Sequence, residues 1–294
     1  MTFSPKYIII SYYIIFTDFG RCRMDKISLA GDLGSGKSTV ADILIKRLGA
    51  EYYSTGAIVR SIAAERGMTV GELNKYMETH PEIDHEIDDG IAALSEDERF
   101  LVIDSRMAWH FTKGTFKVYL SCDSETSALR IMNAKRSGES TSTLEEMIDC
   151  TKARRASEKK RYMEQYGVDI KDLANYSLIV DTSVATPDQV AECIISGFER
   201  WQADKSYCCV FLSPERLHFP ERELDGDSLS PFTQGIERGE ELNCITVCEK
   251  DGEFYLVDGF EAAIAHVFNF SPFIPCRLVK AEPSGEYVRM RNSL

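Results

Sequence analysis

One segment near the start of the chain joins an apolar run to a glycine-rich loop: Ile27-Ser28-Leu29-Ala30-Gly31-Asp32-Leu33-Gly34-Ser35-Gly36-Lys37-Ser38-Thr39. Its second part has the spacing glycine, four residues, Gly-Lys-Ser. In such a loop the glycines let successive backbone N–H groups curl around an anionic oxygen, and a following helix presents the positive end of its dipole. The segment therefore predicts a strand, a phosphate-binding loop over residues 31–39 and a helix.

The residue types in the phosphate-binding loop are suited to bind the charged groups of a nucleoside triphosphate and its metal ion. Lys37 would reach the β- and γ-phosphates, and the hydroxyl of Ser38 would ligate Mg²⁺. The other residues expected to contact ATP are Gly31, Gly34, Ser35, Gly36 and Thr39. One helical face follows the loop, made by Val40, Ile43, Leu44 and Leu48, with Gly49 as its C-terminal cap. A glycine-rich turn without chemistry is the alternative.

Strand-like and helix-like segments alternate after the loop, which predicts an α/β fold of the P-loop NTPase type, with a parallel sheet flanked by helices. The predicted strands are Glu51–Ser54, Phe100–Asp104, Phe116–Leu120 and Ser177–Asp181. Thr186-Pro187-Asp188 then opens a helix whose apolar stripe is Val190, Ile194, Phe198 and Trp201. We expect this helix to close a first domain, residues 24–202, before a polar linker and a smaller α/β domain, residues 207–294.

Composition limits the classes of partner. The formal net charge is -13, and nucleic-acid binding requires a basic surface, so we expect no nucleic-acid partner. Nine cysteines without a CxxC pair, in a chain without a credible secretory signal, predict reduced thiols in a cytoplasmic protein. A metal site or a disulfide at Cys208-Cys209 or Cys244 and Cys248 is the weaker alternative, because no His/Cys cluster accompanies them.

The first 23 residues contain a short apolar run, residues 7–16. Ten residues cannot span a bilayer, and the small-residue cleavage site of a signal peptide is missing. We therefore expect no membrane role and a dispensable extension before a domain that begins near Met24. An added edge strand and a poor signal anchor are the alternatives.

Two further strand ends carry residues suited to a second phosphate-bearing substrate. Ser54 and Gly56 are small enough to admit a nucleotide, and Arg60 follows them. The next strand ends in Asp104-Ser105-Arg106, where Asp104 can hold Mg²⁺ through water and Arg106 can reach a phosphate. Between these strands, Glu65–Thr69 and His80–Asp88 predict a helical insert that clamps the acceptor.

This pattern resembles the cytidylate kinases, and more nearly their archaeal branch than the common bacterial form. The resemblance covers residues 26–200 and is strongest at Arg154–Tyr162, at Tyr166–Ile170 and at Asp172-Leu173. Arg154 and Arg161 are two helical turns apart and would face the same way, as a phosphate-clamping lid requires. A solvated helix face is the alternative for this basic run, more so for Arg155, Lys159 and Lys160. One departure is Ser105, which stands where the family usually has glycine.

The resemblance implies phosphoryl transfer from ATP to a nucleoside monophosphate, CMP or dCMP above all, assisted by Mg²⁺. Lys37 and the loop would hold the donor, Ser38 and Asp104 the metal, and Arg60 and Arg106 the acceptor phosphate. The arginines implied as lid cations are Arg130, Arg136, Arg154 and Arg161. Two alternatives stay open, a kinase for another small phosphate acceptor and a regulatory nucleotide-binding protein with a weakened kinase fold. The sequence leaves the oligomeric state open.

Residues 207–294 resemble a ParB/sulfiredoxin-type α/β domain, through Leu212–Leu217, Ile236–Gly239 and Tyr255–Gly259. That superfamily usually follows its Asp-Gly with His and Arg residues that serve nucleotide phosphates, whereas this chain has Phe260-Glu261-Ala262. We therefore expect a degenerate phosphate site and a structural or regulatory role. From Ala203 onward there are 9 Lys and Arg against 16 Asp and Glu, which argues against DNA binding of the ParB kind.

Overall fold

A computed structural model describes residues 25–134, 143–240, 242 and 245–289. The predicted N-terminal extension, Arg136 and Cys244 lie outside these residues. The strands are β1 (Lys26–Gly31), β2 (Glu51–Ser54), β3 (Leu101–Asp104), β4 (Thr115–Ser121), β5 (Leu178–Asp181), β6 (Cys209–Leu212), β7 (Leu217–Pro220), β8 (Thr246–Lys250), β9 (Glu253–Asp258), β10 (Ile274–Leu278) and β11 (Tyr287–Arg289). The helices are α1 (Lys37–Leu48), α2 (Thr55–Glu65), α3 (Val70–Met77), α4 (Pro81–Ala93), α5 (Ala108–Phe111), α6 (Ser124–Asn133), α7 (Leu144–Tyr166), α8 (Pro187–Ala203), α9 (Gly226–Glu237) and α10 (Phe260–Phe268).

The strands form one 11-stranded sheet in the order β11-β7-β9-β8-β10-β6-β5-β4-β1-β3-β2. From β6 to β2 all neighbours are parallel, and the alternation of strands and helices predicted this for the part from β5 to β2. β1 lies between β3 and β4, so the chain leaves β1 at the point where the strand order reverses. In open α/β sheets this point, at the carboxyl ends of the strands, is where ligands bind.

Helices cover both faces of the parallel part of the sheet. α1 and α8 pack together on one face and bury Val40, Leu44, Ile194, Phe198 and Trp201 against β1, β4 and β5. The predicted caps of these helices are present. Gly49 adopts a left-handed φ of 64° after α1, and Thr186 forms a capping box at the start of α8.

The predicted helical insert consists of α2, α3 and α4, which lie between β2 and β3 in the chain. A separate apolar core holds the insert on the sheet, with Leu73, Met77, Ile87 and Ile91 packed near Ile103 of β3. The insert therefore stands over the end of β3, where Asp104 and Arg106 leave the sheet.

The C-terminal part of the chain continues the same sheet. β6 pairs in parallel with β5, where Val180 lies opposite Phe211, and β10 pairs antiparallel with β6. One apolar core contains Tyr119 and Tyr176 from the first part and Leu217 and Phe254 from the second. The structure thus differs from the expectation that α8 closes the first domain, because β6 follows α8 and covers the edge of β5 that would otherwise be unpaired.

A substitution at Leu212, at the end of β6, tests whether the first part and the C-terminal part of the chain share one core. Leu212 is 0% exposed and belongs to the core that contains residues of both parts. We expect Leu212→Ala to lower the free energy of unfolding by about 2–5 kcal/mol, the usual cost of removing a buried leucine side chain. Urea denaturation followed by circular dichroism measures it. Val257→Ala on β9 is the control, because Val257 is 47% exposed. An unchanged midpoint for Leu212→Ala would contradict the shared core.

Among the described residues, no helix combines the length and the apolar composition that a membrane crossing requires.

Candidate functional site

The phosphate-binding loop leaves β1 under tight steric limits. Gly31 has a φ of 144°, and a Cβ at this position would lie 2.4 Å from the backbone oxygen of Leu120 on β4. Gly36 has a φ of 81° and begins α1. Side chains at these two positions would be strained or would collide with the sheet. The loop therefore leaves β1 and enters α1 along a path that glycine, and not a larger residue, allows at these two positions.

Lys37 points back across the loop. Its Nζ donates hydrogen bonds to the backbone oxygens of Gly31 at 3.2 Å and Asp32 at 2.9 Å. Burial lowers the pKa of Lys37 to about 8, although the nearby carboxylate of Asp104 acts in the opposite direction. The ammonium group thus lies in a poorly solvated position, where attraction to an anion is stronger than in water.

Asp32 ties the loop to the rest of the fold, a role that the sequence did not indicate. Its carboxylate accepts hydrogen bonds from the hydroxyl of Tyr119 at 2.9 Å and the backbone N–H of Cys122 at 3.0 Å, and it pairs closely with Lys171. The Nη2 atom of Arg155 lies 3.7 Å away. Burial would raise the pKa of Asp32, but Lys171 and Arg155 hold it below its usual value.

Ser38 and Asp104 are placed as a hydroxyl and a carboxylate near Lys37. Ser38 is exposed in the first turn of α1, and Asp104 at the end of β3 accepts a hydrogen bond from the hydroxyl of Tyr52 at 2.9 Å. Mg²⁺ prefers such oxygen donors and usually keeps waters and substrate phosphates as its other ligands. By their donor chemistry, these two oxygen-bearing residues fit Mg²⁺. Among the described residues, no group of three or more His, Cys, Asp and Glu side chains could hold a metal by itself.

Arg106 is held by a buried acid that the sequence did not single out. Its Nε lies 2.5 Å from Oε2 of Glu158, and Nε of Arg154 lies 3.2 Å from the other oxygen. Burial would raise the pKa of Glu158, but Arg106, Arg154 and Arg161 lower it. Arg106 lines a small cavity with Asp32, Arg155, Glu158 and Lys171, next to the loop. The small cavity therefore gathers three cations and two carboxylates at the carboxyl end of β1.

Arg161 has a different environment from Arg154. It is 5% exposed, its Nε lies 2.7 Å from the Asp84 carboxylate, and its Nη1 donates to the backbone oxygen of Asn74 at 3.1 Å. In this structure it joins α7 to α3 and α4 rather than pointing toward the loop. Arg154 is only partly buried and lies closer to Arg106 through Glu158.

The other predicted acceptor residues lie at the start of α2. Ser54 caps α2 by accepting from the backbone N–H of Ala57, and Arg60 is exposed on the same helix one turn beyond Gly56. Ser105 is 4% exposed, and its Oγ accepts a hydrogen bond from the backbone N–H of Met107. The serine that replaces the usual glycine is therefore turned into the protein.

A second, larger cavity of about 370 Å³ opens on the other side of the phosphate-binding loop. Its lining combines the loop and the start of α1 with Arg130, Thr182, Ala185 and Pro187. Nη2 of Arg130 donates to the backbone oxygen of Thr182 at 2.7 Å. Arg130, predicted as a lid cation, thus stands in the wall of the large cavity and has a backbone partner there.

Arg155 and Lys171 are the cations that sequence reasoning missed. The sequence assigns Arg155 no role of its own, and a solvated helix face is the alternative that it shares with Lys159 and Lys160. The Arg155 side chain is 18% exposed and lies near Asp32, whereas Lys159 and Lys160 are exposed. An acid inside a loop that binds anions requires compensating cations, and this requirement was the available signal.

At the start of α10, the segment Phe260-Glu261-Ala262 forms an ion pair with Arg222. The carboxylate of Glu261 lies 2.7 Å from Nη2 of Arg222, whose guanidinium stacks over Phe260. Arg222, a cation beside this helix start, is therefore already paired with an acid of the helix.

Comparison with known proteins gives one family and two informative relatives. The cytidylate kinase-like family matches residues 26–184. A cytidylate kinase of Thermoplasma volcanium is 33% identical over 62% of this chain and 95% of its own length. A protein of Lacinutrix mariniflava named S-adenosylmethionine-dependent nucleotide dehydratase is 36% identical over 69% of this chain and 45% of its own length. The chain thus spans about half of that relative.

A sulfiredoxin from Arabidopsis thaliana is among the solved structures that overlap part of the chain. It covers 25% of this chain and 85% of its own, with 26% identity and a TM-score of 0.24. A likeness this slight carries no argument about residues 207–294.

Proposed function

Because the chain belongs to the cytidylate kinase-like family, we propose that it transfers the γ-phosphoryl group of ATP to a nucleoside monophosphate. The observation that carries the proposal is the convergence of Lys37 and Arg106 at the carboxyl ends of β1 and β3. Asp104 and Arg106 both contribute to the electrostatic field at Lys37, so the three charges lie close together. A donor phosphate on the loop and an acceptor phosphate at Arg106 would therefore meet.

Phosphoryl transfer requires that several negative charges be brought together and held in line. In our proposal Lys37 and the backbone N–H groups of residues 34–39 hold the donor phosphates. Ser38 and, through water, Asp104 would hold Mg²⁺, which would supply positive charge beside the donor phosphates. Arg106 holds the acceptor phosphate and Arg60 approaches it from α2. The acceptor phosphate is already a competent nucleophile, so no acid–base side chain is required.

The cations of α7 would act on the transferring group. Arg154 lies beside Arg106 through their shared partner Glu158, and Arg155 faces the small cavity. In our proposal both help to neutralise the charge that spreads over the γ-phosphoryl group, in a site where electrostatic stabilisation is strong. In our proposal Arg161 contributes less to neutralising the transferring group, because its contacts to Asp84 and Asn74 fix the acceptor insert against α7.

CMP and dCMP are our preferred acceptors, on the strength of the cytidylate kinases similar to this chain. We further propose that residues 207–294 are a ParB/sulfiredoxin-like unit whose phosphate site is degenerate, which the pairing of Glu261 with Arg222 supports. We place the enzyme in the cytoplasm, where the free thiols of the described cysteines would be stable. Small nucleotides, and not nucleic acids, are the proposed partners.

A coupled assay of ADP formation tests the proposal. The full chain is mixed with ATP and Mg²⁺ and with CMP, dCMP, UMP, AMP or GMP in turn, and the rate without acceptor is subtracted. We expect acceptor-dependent ADP formation that is fastest with CMP or dCMP. If none of the five acceptors stimulates ADP formation, in a protein that binds ADP in calorimetry, the result would favour the regulatory alternative. Preference for another base would retain the kinase and correct its acceptor.

A further inference from the structure

Asp32 is the acid of the phosphate-binding loop, and two cations face it. Its Oδ1 atom is in direct contact with Nζ of Lys171, while Nη2 of Arg155 lies 3.7 Å from the same oxygen. Lys171 also donates to the hydroxyl oxygen of Tyr119, and that hydroxyl donates to Asp32 at 2.9 Å. Lys171 is therefore bonded to the acid, whereas Arg155 stands beyond hydrogen-bond distance from it.

The segment between α7 and β5 holds the backbone of Lys171 in place. The backbone N–H of Lys171 donates to Oδ1 of Asp169 at 2.9 Å, and Oδ2 of Asp169 lies 2.9 Å from Nζ of Lys159 on α7. The preceding backbone oxygen, that of Ile170, accepts from the hydroxyl of Tyr176 at 3.0 Å. These contacts fix the chain on both sides of the Lys171 amide, so the fold itself presents the lysine to the loop.

Arg155, on α7, has weak contacts for a side chain that is only 18% exposed. Besides its distant pairing with Asp32, its Nη2 reaches the hydroxyl oxygen of Ser127 at 3.5 Å, the long end of hydrogen bonding. Its Nε is buried and has no hydrogen-bond partner in the part of the chain that the structure describes. The same side chain lines the small cavity together with Gly31 and Leu33 of the loop. Arg155 is thus a loosely held cation beside the loop.

A count of the charges around the small cavity shows why Arg155 is held so loosely. Arg106 is paired with Glu158, which leaves Asp32 to be shared by Lys171 and Arg155. The ammonium in contact with Asp32 offsets the attraction that the carboxylate exerts on the guanidinium, and such interactions are strong where water is scarce. One positive charge is therefore left over, and Arg155 carries it.

We propose that Lys171 is a positioning residue, which neutralises Asp32 and so keeps Arg155 available to the transferring γ-phosphoryl group. Without Lys171, the buried acid would have Arg155 as its nearby cation, and a small movement of the guanidinium would bring the two into direct contact. The inference rests on the proposed function, because it takes the γ-phosphoryl group to lie beside the loop within reach of Arg155.

Lys171→Met in the full chain tests the inference. We expect turnover to fall about ten- to a hundredfold, up to the loss caused by removing one stabilising group. The dissociation constant of ADP, by calorimetry, should change less than about threefold, because ADP lacks the phosphoryl group that Arg155 would contact. Lys171→Arg keeps the charge and should recover part of the turnover. Lys160→Met is the matched control, since Lys160 is an exposed lysine of α7, and its turnover should stay within about twofold.

Two double variants distinguish this role from a merely structural one. Lys171→Met combined with Asp32→Asn removes both charges, so Arg155 has no carboxylate to close on. Its turnover should return to within about threefold of the Asp32→Asn protein. Lys171→Met combined with Arg155→Met should be no slower than Arg155→Met alone, because Lys171 acts through Arg155. Failure of the first recovery, or additive losses in the second variant, overturns the inference.

The single variant can also overturn it, through unchanged turnover of a folded protein or through an ADP affinity that falls as far as turnover. If Lys171→Met does not fold, Lys171→Gln, which keeps a donor to Asp32 and loses the charge, replaces it throughout. Unsubstituted protein that binds ADP without acceptor-dependent phosphorylation contradicts the proposed function. The affinity for a non-hydrolysable ATP analogue relative to ADP then decides the role of Lys171, since a lower ratio in the variant supports it and an unchanged ratio overturns it.

Discussion

Lys37→Ala is expected to lower the turnover of phosphoryl transfer by at least about a hundredfold while leaving the protein folded. Lys37 lies against the loop backbone, and removing one group that stabilises transferring charge costs about this much. Stability should not fall, because desolvation already lowers the pKa of the partly buried Lys37 to about 8, so the folded protein does not favour its charged form. Turnover and the midpoint of thermal unfolding are measured on the same preparation.

The control for this substitution is Lys46→Ala. Lys46 lies on the same helix as Lys37, but it is exposed in the last turn of α1, away from the loop. Its loss should leave turnover within about twofold of the unsubstituted protein, since exposed charges interact weakly with distant groups. Near-normal turnover of a well-folded Lys37→Ala protein would mean that the loop does not carry the chemistry.

The first part of the fold could be predicted because its signals are local. The loop spacing, the alternation of short apolar strands with helices and the caps Gly49 and Thr186 each lie within a few neighbouring residues. The parallel strands follow from this alternation, because a parallel pair requires a crossover between its strands. Asp104 and Arg106 could be placed near Lys37 for the same reason, since they leave the strand next to β1.

The contacts that hold the site together could not be predicted in this way. Lys171 is 139 positions from Asp32, and Arg106 meets Glu158 across a shorter gap that still joins two different elements of the chain. No periodicity or spacing within one element indicates such pairs. The pairing of β6 with β5 could not be predicted from the sequence for a related reason. The polar residues after α8 are typical of a linker, and register between distant strands is set by packing that only the folded chain shows.

Arg106→Ala is expected to raise the KM for the acceptor about ten- to a hundredfold while the KM for ATP changes less than about threefold. A guanidinium forms two parallel hydrogen bonds with a phosphate, and charged hydrogen bonds of this kind are worth about 1.5–3 kcal/mol. The substitution leaves Glu158 paired with Arg154, so the buried acid keeps one cation. Initial rates over a grid of both substrate concentrations give the two KM values.

Arg99→Ala is the matched control. Arg99 lies just before β3, whereas Arg106 follows the other end of that strand. Arg99 is paired at the surface with Asp97 and Glu51. Arg106→Lys should fall between the two, since lysine keeps the charge and loses the paired geometry. A selective rise in the acceptor KM assigns Arg106 to the acceptor phosphate. Equal rises for both substrates would instead put Arg106 between the two phosphates, in contact with the transferring group, and the acceptor clamp would then fall to Arg60 on α2, whose exposed side chain has the freedom to close on it.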